Sequence, residues 1–268
     1  MASAARLVTR GIVLRETVTK ETDKILTVLS EDHGKIAVIA KGARRRNCKY
    51  AASAQILAWS EWVLSPTRKG DYYYVHEASI LALFQELRLN LTAFALGCYF
   101  AELIESVALE EISARRLSRH LLNGLYVLGA LHKPEELIKA AFECKLLCLA
   151  GYEPLLDACA YCGRENPIEP VLDVIQGILH CRTCGLNNNI NNNIILCRDS
   201  LAALRHIVYG DEKRLYAFRL EEQALKRLNT VVEKFLYAQL DRKFGALDFY
   251  KSLKKFDNNY NNLNNLNK

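Results

Sequence analysis

Two cysteine knuckles, Cys159-Ala-Tyr-Cys162 and Cys181-Arg-Thr-Cys184, constrain what this chain can fold into more tightly than any other feature. A gap of two residues lets both sulfurs of a knuckle face one centre from a tight turn, and two facing knuckles complete a tetrahedron. Thiolates are soft ligands, so the spacing points to Zn²⁺, and four protein ligands leave no open position for a reacting water. The zinc expected on Cys159, Cys162, Cys181 and Cys184 is therefore structural. Gly163 and Gly185 directly follow the knuckles. Positive φ at both would let each turn close with its N–H groups aimed at the thiolates. His180 adjoins Cys181 and is read as a solvated loop residue rather than a substitute ligand. Reduced core cysteines or disulfides are the competing reading. A redox pair would need a thioredoxin-like βαβ unit, and none is visible nearby.

The other cysteines, Cys48, Cys98, Cys144, Cys148 and Cys197, follow no framework, and an odd total of nine fits a reducing compartment. Cys144 and Cys148 stand one helical turn apart in an apolar stretch, which favours core packing over a second metal. With 268 residues, half of them hydrophobic, the chain is large enough for two compact domains. No apolar run is long enough to span a bilayer and no signal-like leader is visible, so a cytoplasmic location is expected. A formal charge of +6 does not by itself identify a nucleic-acid binder. Its distribution says more, because the basic excess of residues 6–80 gathers between Lys41 and Lys49.

From Arg6 to about Ser79 short β-branched and aromatic runs alternate with turn signals. The runs begin at Gly11, Ile25, Ile36, Ile56 and Tyr72, and the turns fall at Glu31–Gly34 and Lys69–Asp71. Five strands in this length predict an OB-type barrel, with an SH3-like barrel as competitor. The connector Gly42–Gln55 is where a small helix is expected. It carries Lys41, Arg44, Arg45, Arg46 and Lys49 with only small or polar residues between them, a cluster able to neutralise several phosphates. A solvated, ligand-free loop is the plain alternative. Trp59, Trp62 and Tyr72 to Tyr74 are candidates for stacking on bases, although alternation places most of them in the barrel core.

After residue 80 the period becomes helical. Apolar stripes cover Leu81–Leu91, Phe94–Leu109 and Ser113–Leu131, and a further helix runs from Pro134 to Leu149 before Gly151. Val171–Ile175 and Gly177–His180 read as two ribbon strands, and the Asn187–Asn193 run as a surface loop. Asp199 or Ser200 is the expected cap of a helix ending at Gly210, and a long helix follows from Phe218 to about Lys243. The class is α+β, with an N-terminal OB-fold barrel over residues 1–80 and a helical domain over 81–256. The zinc ribbon at 159–184 is inserted in that domain, and an Asn-rich tail over 257–268 is expected to be disordered.

Three segments resemble the bacterial recombination mediator RecO. The first holds Gly11-Ile-Val-Leu-Arg15, Asp23, His33-Gly34-Lys35 and Ala40-Lys41-Gly42-Ala43-Arg44-Arg45. The second is Glu102-Leu103-Ile104-Glu105. The third and most specific is Leu146-Leu147, Gly151-Tyr152-Glu153-Pro154, Leu156 and Cys159-Ala-Tyr-Cys162-Gly163, and Lys251-Ser252 also fits. The resemblance covers about residues 6–256. It implies binding of single- and double-stranded DNA, annealing of complementary strands, and loading of RecA together with RecR on DNA coated by single-strand-binding protein, whose C-terminal tail it contacts. Some members of that family lack the four cysteines. The Asn-rich insert after Cys184 and the Asn-rich tail depart from the family pattern.

On this reading Lys41, Arg44, Arg45, Arg46 and Lys49, helped by Arg15, Lys24 and Lys35, hold phosphates without reading sequence. Arg205, Lys213, Arg214, Lys226, Arg227 and Arg242 either extend the track or are ordinary solvated helix faces. No paired-acid motif or His-containing metal constellation supports an enzyme. A protein adaptor with structural zinc and no DNA affinity of its own is the alternative function.

Overall fold

Ile36, Val38 and Ala40 alternate with Lys35, Ala37 and Ile39, and in the computed structural model this period of two becomes a strand with one face on a core. The structure describes residues 6–110, 112–131, 133–185 and 192–266, with side chains as far as Asp257. Strands β1 (Leu7–Thr19), β2 (Asp23–Ser30), β3 (Gly34–Ala40), β4 (Trp59–Pro66) and β5 (Tyr73–Ala82) close a barrel in the order β1-β2-β3-β5-β4. β1 also pairs with β4, and only the β3–β5 seam, at Val38–Tyr73 and Ile39–Tyr74, is parallel. This is the expected OB-like barrel. Val13, Leu26, Val28, Val38, Trp62 and Leu64 fill it, each contributing about 1.5–3 kcal/mol by leaving water. Trp62 is fully buried and its Nε1 donates to Gly11 O at 3.1 Å, so it stacks on nothing outside.

Gly34 closes the β2–β3 turn at φ +65, and a Cβ there would lie 2.2 Å from Leu109 O. Only glycine permits that approach, which lets Lys35 N donate to Leu109 O at 3.0 Å. The connector after β3 is a run of turns rather than a helix. Arg45, Cys48 and Ala51 each donate three residues back, to Gly42, Arg45 and Cys48. The reason lies in its ends. Gly42 and Leu57 hold positive φ, and Arg44 N and Leu57 N donate into the barrel at Thr22 O and Val13 O.

The described chain divides by packing into two units, Met1–His132 with Phe244–Lys268, and Lys133–Lys243. The helices that composition grouped together are therefore shared between two cores. The first unit adds α1 (Gln85–Leu89), α2 (Leu91–Val107), α3 (Arg115–Ala130) and α7 (Gly245–Leu266) to the barrel. Asn90 caps α2 by accepting from Ala93 N at 3.0 Å. Glu102 on α2 accepts the first N–H groups of α7, from Gly245 at 3.2 Å and Ala246 at 2.9 Å, and Tyr99 meets Phe244 edge-on. The backbone of α7 is helical to Leu266, across most of the stretch that composition assigned to a disordered tail.

The second unit holds α4 (Glu135–Leu149), α5 (Arg198–Tyr209), α6 (Glu222–Leu240) and a sheet of order β7-β6-β8, made of β6 (Pro170–Asp173), β7 (Ile178–Cys181) and β8 (Asn193–Ile195). α4 is buried along almost its whole length, and its apolar residues pack against α5 and α6. The cap of α5 is Cys197, not Asp199 or Ser200: its sulfur accepts from Ser200 N at 3.4 Å. α6 starts at Glu222 rather than Phe218: residues 218–221 form no regular structure, and Glu221 at the N-cap is extended. Among the described residues no helix is long and apolar enough to cross a membrane.

Candidate metal centre and nucleic-acid surface

The sulfurs of Cys159, Cys162, Cys181 and Cys184 all lie within 4.8 Å of one another. No pair among them is a disulfide. Cys162 and Cys181 stand 3.8 Å apart, Sγ to Sγ. A tetrahedron with metal–sulfur distances of about 2.3 Å has edges of about 3.8 Å, so this donor set fits a zinc-sized cation. The main chain supports it. Cys181 N points at Cys159 Sγ from 3.3 Å, and Gly163 N and Gly185 N close the two turns on Cys159 O and Cys181 O. Burial pushes the Cys159 thiol up, but the N–H groups of Cys162, Cys181 and Tyr161 outweigh it and bring it to about 6. Burial and the neighbouring sulfurs push Cys181 up to about 12. Four thiolates at this separation need a cation among them, and the site can hold a metal compatible with zinc.

Gly163 takes φ +71 as expected, whereas Gly185 does not need positive φ. Its constraint is contact: a Cβ on Gly185 would lie 2.3 Å from the His180 ring. His180 is no solvated loop residue. It is 1% exposed in β7, donates from Nδ1 to Cys181 O at 2.9 Å, and turns Nε2 to the Asn193 amide at 3.2 Å. It is the packing behind the second knuckle. Asn193, read from sequence as loop, pairs with Asp173 as the first residue of β8. The rest of the asparagine insert, residues 186–191, lies outside the described residues.

On the barrel, Lys41, Arg44, Arg45, Arg46 and Lys49 are all exposed on the connector. Among the described residues Arg45, Arg46 and Lys49 enter no ion pair within 4.0 Å. Arg44 Nη1 donates to Glu21 O at 3.0 Å, and Lys41 Nζ sits 4.3 Å from the centre of the Tyr74 ring. Asp23 pins the start of the connector. Its Oδ1 accepts Gly42 N at 2.7 Å, and this bond chiefly holds its carboxyl below the usual aspartate range. Arg15 and Lys35 meet instead at Glu105, through its carboxylate at 3.0 Å and its carbonyl at 3.4 Å. Lys24 lies beneath the connector, mostly buried, donating to Glu16 at 2.9 Å and to Ala54 O at 3.0 Å. Tyr72 is exposed and Tyr74 is half-buried beneath Lys41, whereas Tyr73 packs against the core.

In the second unit Lys226 is tied to Glu222, and Arg205 is drawn into main-chain carbonyls. Spacing alone could not have found the roles of Asp23, Arg205 or Glu105, since each acts across a long stretch of sequence. A groove of about 580 Å³ lies between α5 and residues 218–221. Ala202, Ala203, Phe218 and Leu220 give it apolar walls, and Asp199, His206, Arg219 and Glu221 line it as polar or charged groups.

Two family models cover nearly the whole chain: recombination protein O N terminal over residues 3–84, and recombination protein O C terminal over residues 88–248. A protein of Acetivibrio thermocellus named DNA repair protein RecO is 30% identical over 247 residues, covering 92% of this chain and 97% of that one. A protein of the same name from Caldicellulosiruptor bescii is 31% identical over 243 residues, covering 91% and 97%. An OB-like barrel with a cationic connector, a helical unit with a four-cysteine centre, and end-to-end similarity of this extent place the chain in the RecO family of DNA repair proteins.

Proposed function

We propose that this chain is a non-enzymatic recombination mediator that binds single- and double-stranded DNA through the barrel connector and anneals complementary strands. The observation that carries the reading is the exposed, unpaired set Arg45, Arg46 and Lys49 beside Lys41 and Arg44. Such a set tracks phosphate without reading bases, and charge neutralised on two strands at once lowers their mutual repulsion. Tyr74, held under Lys41, offers a face for a base. Arg15 and Lys35 extend the positive surface, and Lys24 supports it from below.

The metal of the four-cysteine centre is proposed to be zinc in a structural role, since all four positions are taken by protein. RecR and the C-terminal tail of single-strand-binding protein are proposed as partners of the chain, which with RecR would assist RecA loading on DNA coated by that protein. These activities belong to the cytoplasm and to the nucleoid during repair.

Fluorescence anisotropy of a labelled single-stranded oligonucleotide across a salt series tests the DNA claim. Replacing Arg44, Arg45 and Arg46 with Ala should weaken binding and reduce the salt slope by about 2 for single strands. An unchanged slope would move the site elsewhere. No binding by the unaltered chain at low salt would favour an adaptor whose DNA contact comes from a partner.

A further inference from the structure

The two knuckles of the metal centre are supported differently. Cys181 ends β7, whose pairing with β6 from Pro170 to Asp173 fixes the second knuckle within a sheet. The first knuckle sits in an irregular loop. Main-chain bonds tie it to β7 at Leu155 and Ala160. Its other side rests on two α5 side chains, four residues apart and so on one face of the helix.

Arg205 is the larger support. Its Nε donates to Leu156 O at 2.8 Å, and its Nη2 donates to Asp157 O at 2.9 Å and to Glu165 O at 2.5 Å. Its Nη1 reaches Asn166 Oδ1 at 3.3 Å. These acceptors lie just before Cys159 and just after Cys162, so one planar guanidinium ties both ends of the loop that carries the first pair of sulfurs. Tyr209 completes the grip, accepting Leu156 N at 2.8 Å. A lysine presents a single ammonium and cannot span these acceptors as the guanidinium fork does.

We propose that Arg205, assisted by Tyr209, is the positioning residue of the metal centre, holding the first knuckle in ligating geometry before the cation arrives. The inference rests on the reading that the four cysteines bind zinc. It removes Arg205 from any phosphate track, because its donors are already engaged. Ordering the loop in advance spares the metal the entropy cost of fixing it, so the effect belongs to metal affinity and residence.

The test uses the full chain, stripped of metal under reducing conditions and titrated with Co²⁺ alone, then with Zn²⁺ in competition with a chromophoric chelator. The unaltered chain should give a tetrathiolate cobalt spectrum. Arg205→Ala should bind Zn²⁺ about 10- to 100-fold more weakly and lose it faster to chelator. Arg205→Lys should recover little. The unfolding midpoint of the metal-free protein should hardly move, which separates positioning from general stability. Tyr209→Phe, nearly isosteric, should give a smaller loss of the same kind and serves if Arg205→Ala fails to fold. Arg227→Ala, an exposed position on α6, should match the unaltered chain. Wild-type affinity in both Arg205→Ala and Tyr209→Phe would overturn the proposal. Absence of the cobalt spectrum in the unaltered chain would overturn the zinc reading and the proposal together, an outcome distinct from a defect confined to the variants.

Discussion

Asp23 shows how one carboxylate can anchor an exposed cationic loop. It accepts Gly42 N at 2.7 Å and Thr22 Oγ1 at 3.3 Å, at the point where the chain leaves β3 for the cationic connector. Asp23→Ala should free that end of the connector and weaken single-strand binding several-fold, measured by anisotropy, while the barrel still folds. The pH dependence has a definite sign. The folded carboxyl is depressed, so its anchoring is fully present above the ordinary value of 3.8 and is lost as pH falls through the lower, folded value. The protection factor of the Gly42 amide, its exchange rate relative to the intrinsic rate at the same pH, should therefore fall only below about pH 4. A protection factor already lost at neutral pH would refute this role. Asp23 was visible in sequence only as part of a family resemblance, because its partner is a main-chain N–H brought near by the β2–β3 pairing of Lys24 with Ala40.

Among the elements, α4 combines features that pattern alone reads as contradictory. Its apolar residues are buried nearly all round, yet it also buries Lys139 and Glu143, at 4% and 0% exposure. Lys139 Nζ lies 2.8 Å from Glu143 and 3.0 Å from Glu233 on α6. Burial draws its ammonium down, but the two carboxylates more than offset this and raise it overall, so the pair persists at neutral pH and is lost only above the usual lysine range. Lys139→Met should destabilise the second unit by about 3–5 kcal/mol, because Glu143 would be left charged in the core. Lys139→Met combined with Glu143→Leu should recover part of the loss. Urea unfolding of both variants checks this, and a loss below about 1 kcal/mol for the single variant would mean that water reaches Glu143. Periodicity predicted α4 correctly as a helix. It could not predict which charges face inward, since that depends on α6, some ninety residues later in sequence.

At the scale of the whole molecule, each of the two units has its own core, and the four-cysteine cluster lies in one of them. Stripping the metal should loosen residues 155–185 in hydrogen exchange while leaving β1 to β3 of the barrel as protected as before. Equal loosening of the barrel would show that the metal supports both units. The sequence by itself determined the OB-like barrel, the helical remainder and the grouping of the four cysteines. Each of these rests on local rules: a period of two, a period of 3.6, and a two-residue gap between sulfurs. Tertiary structure decided the rest. It returned α7 to the first unit through Glu102 and Phe244, turned His180 inward behind Gly185, engaged Lys24 and Arg205 with main-chain carbonyls, and left Arg45, Arg46 and Lys49 exposed. The physical reason is the same in each case. A charged or aromatic side chain is compatible with either surface or interior until its partners are in place, and those partners lie tens of residues away along the chain.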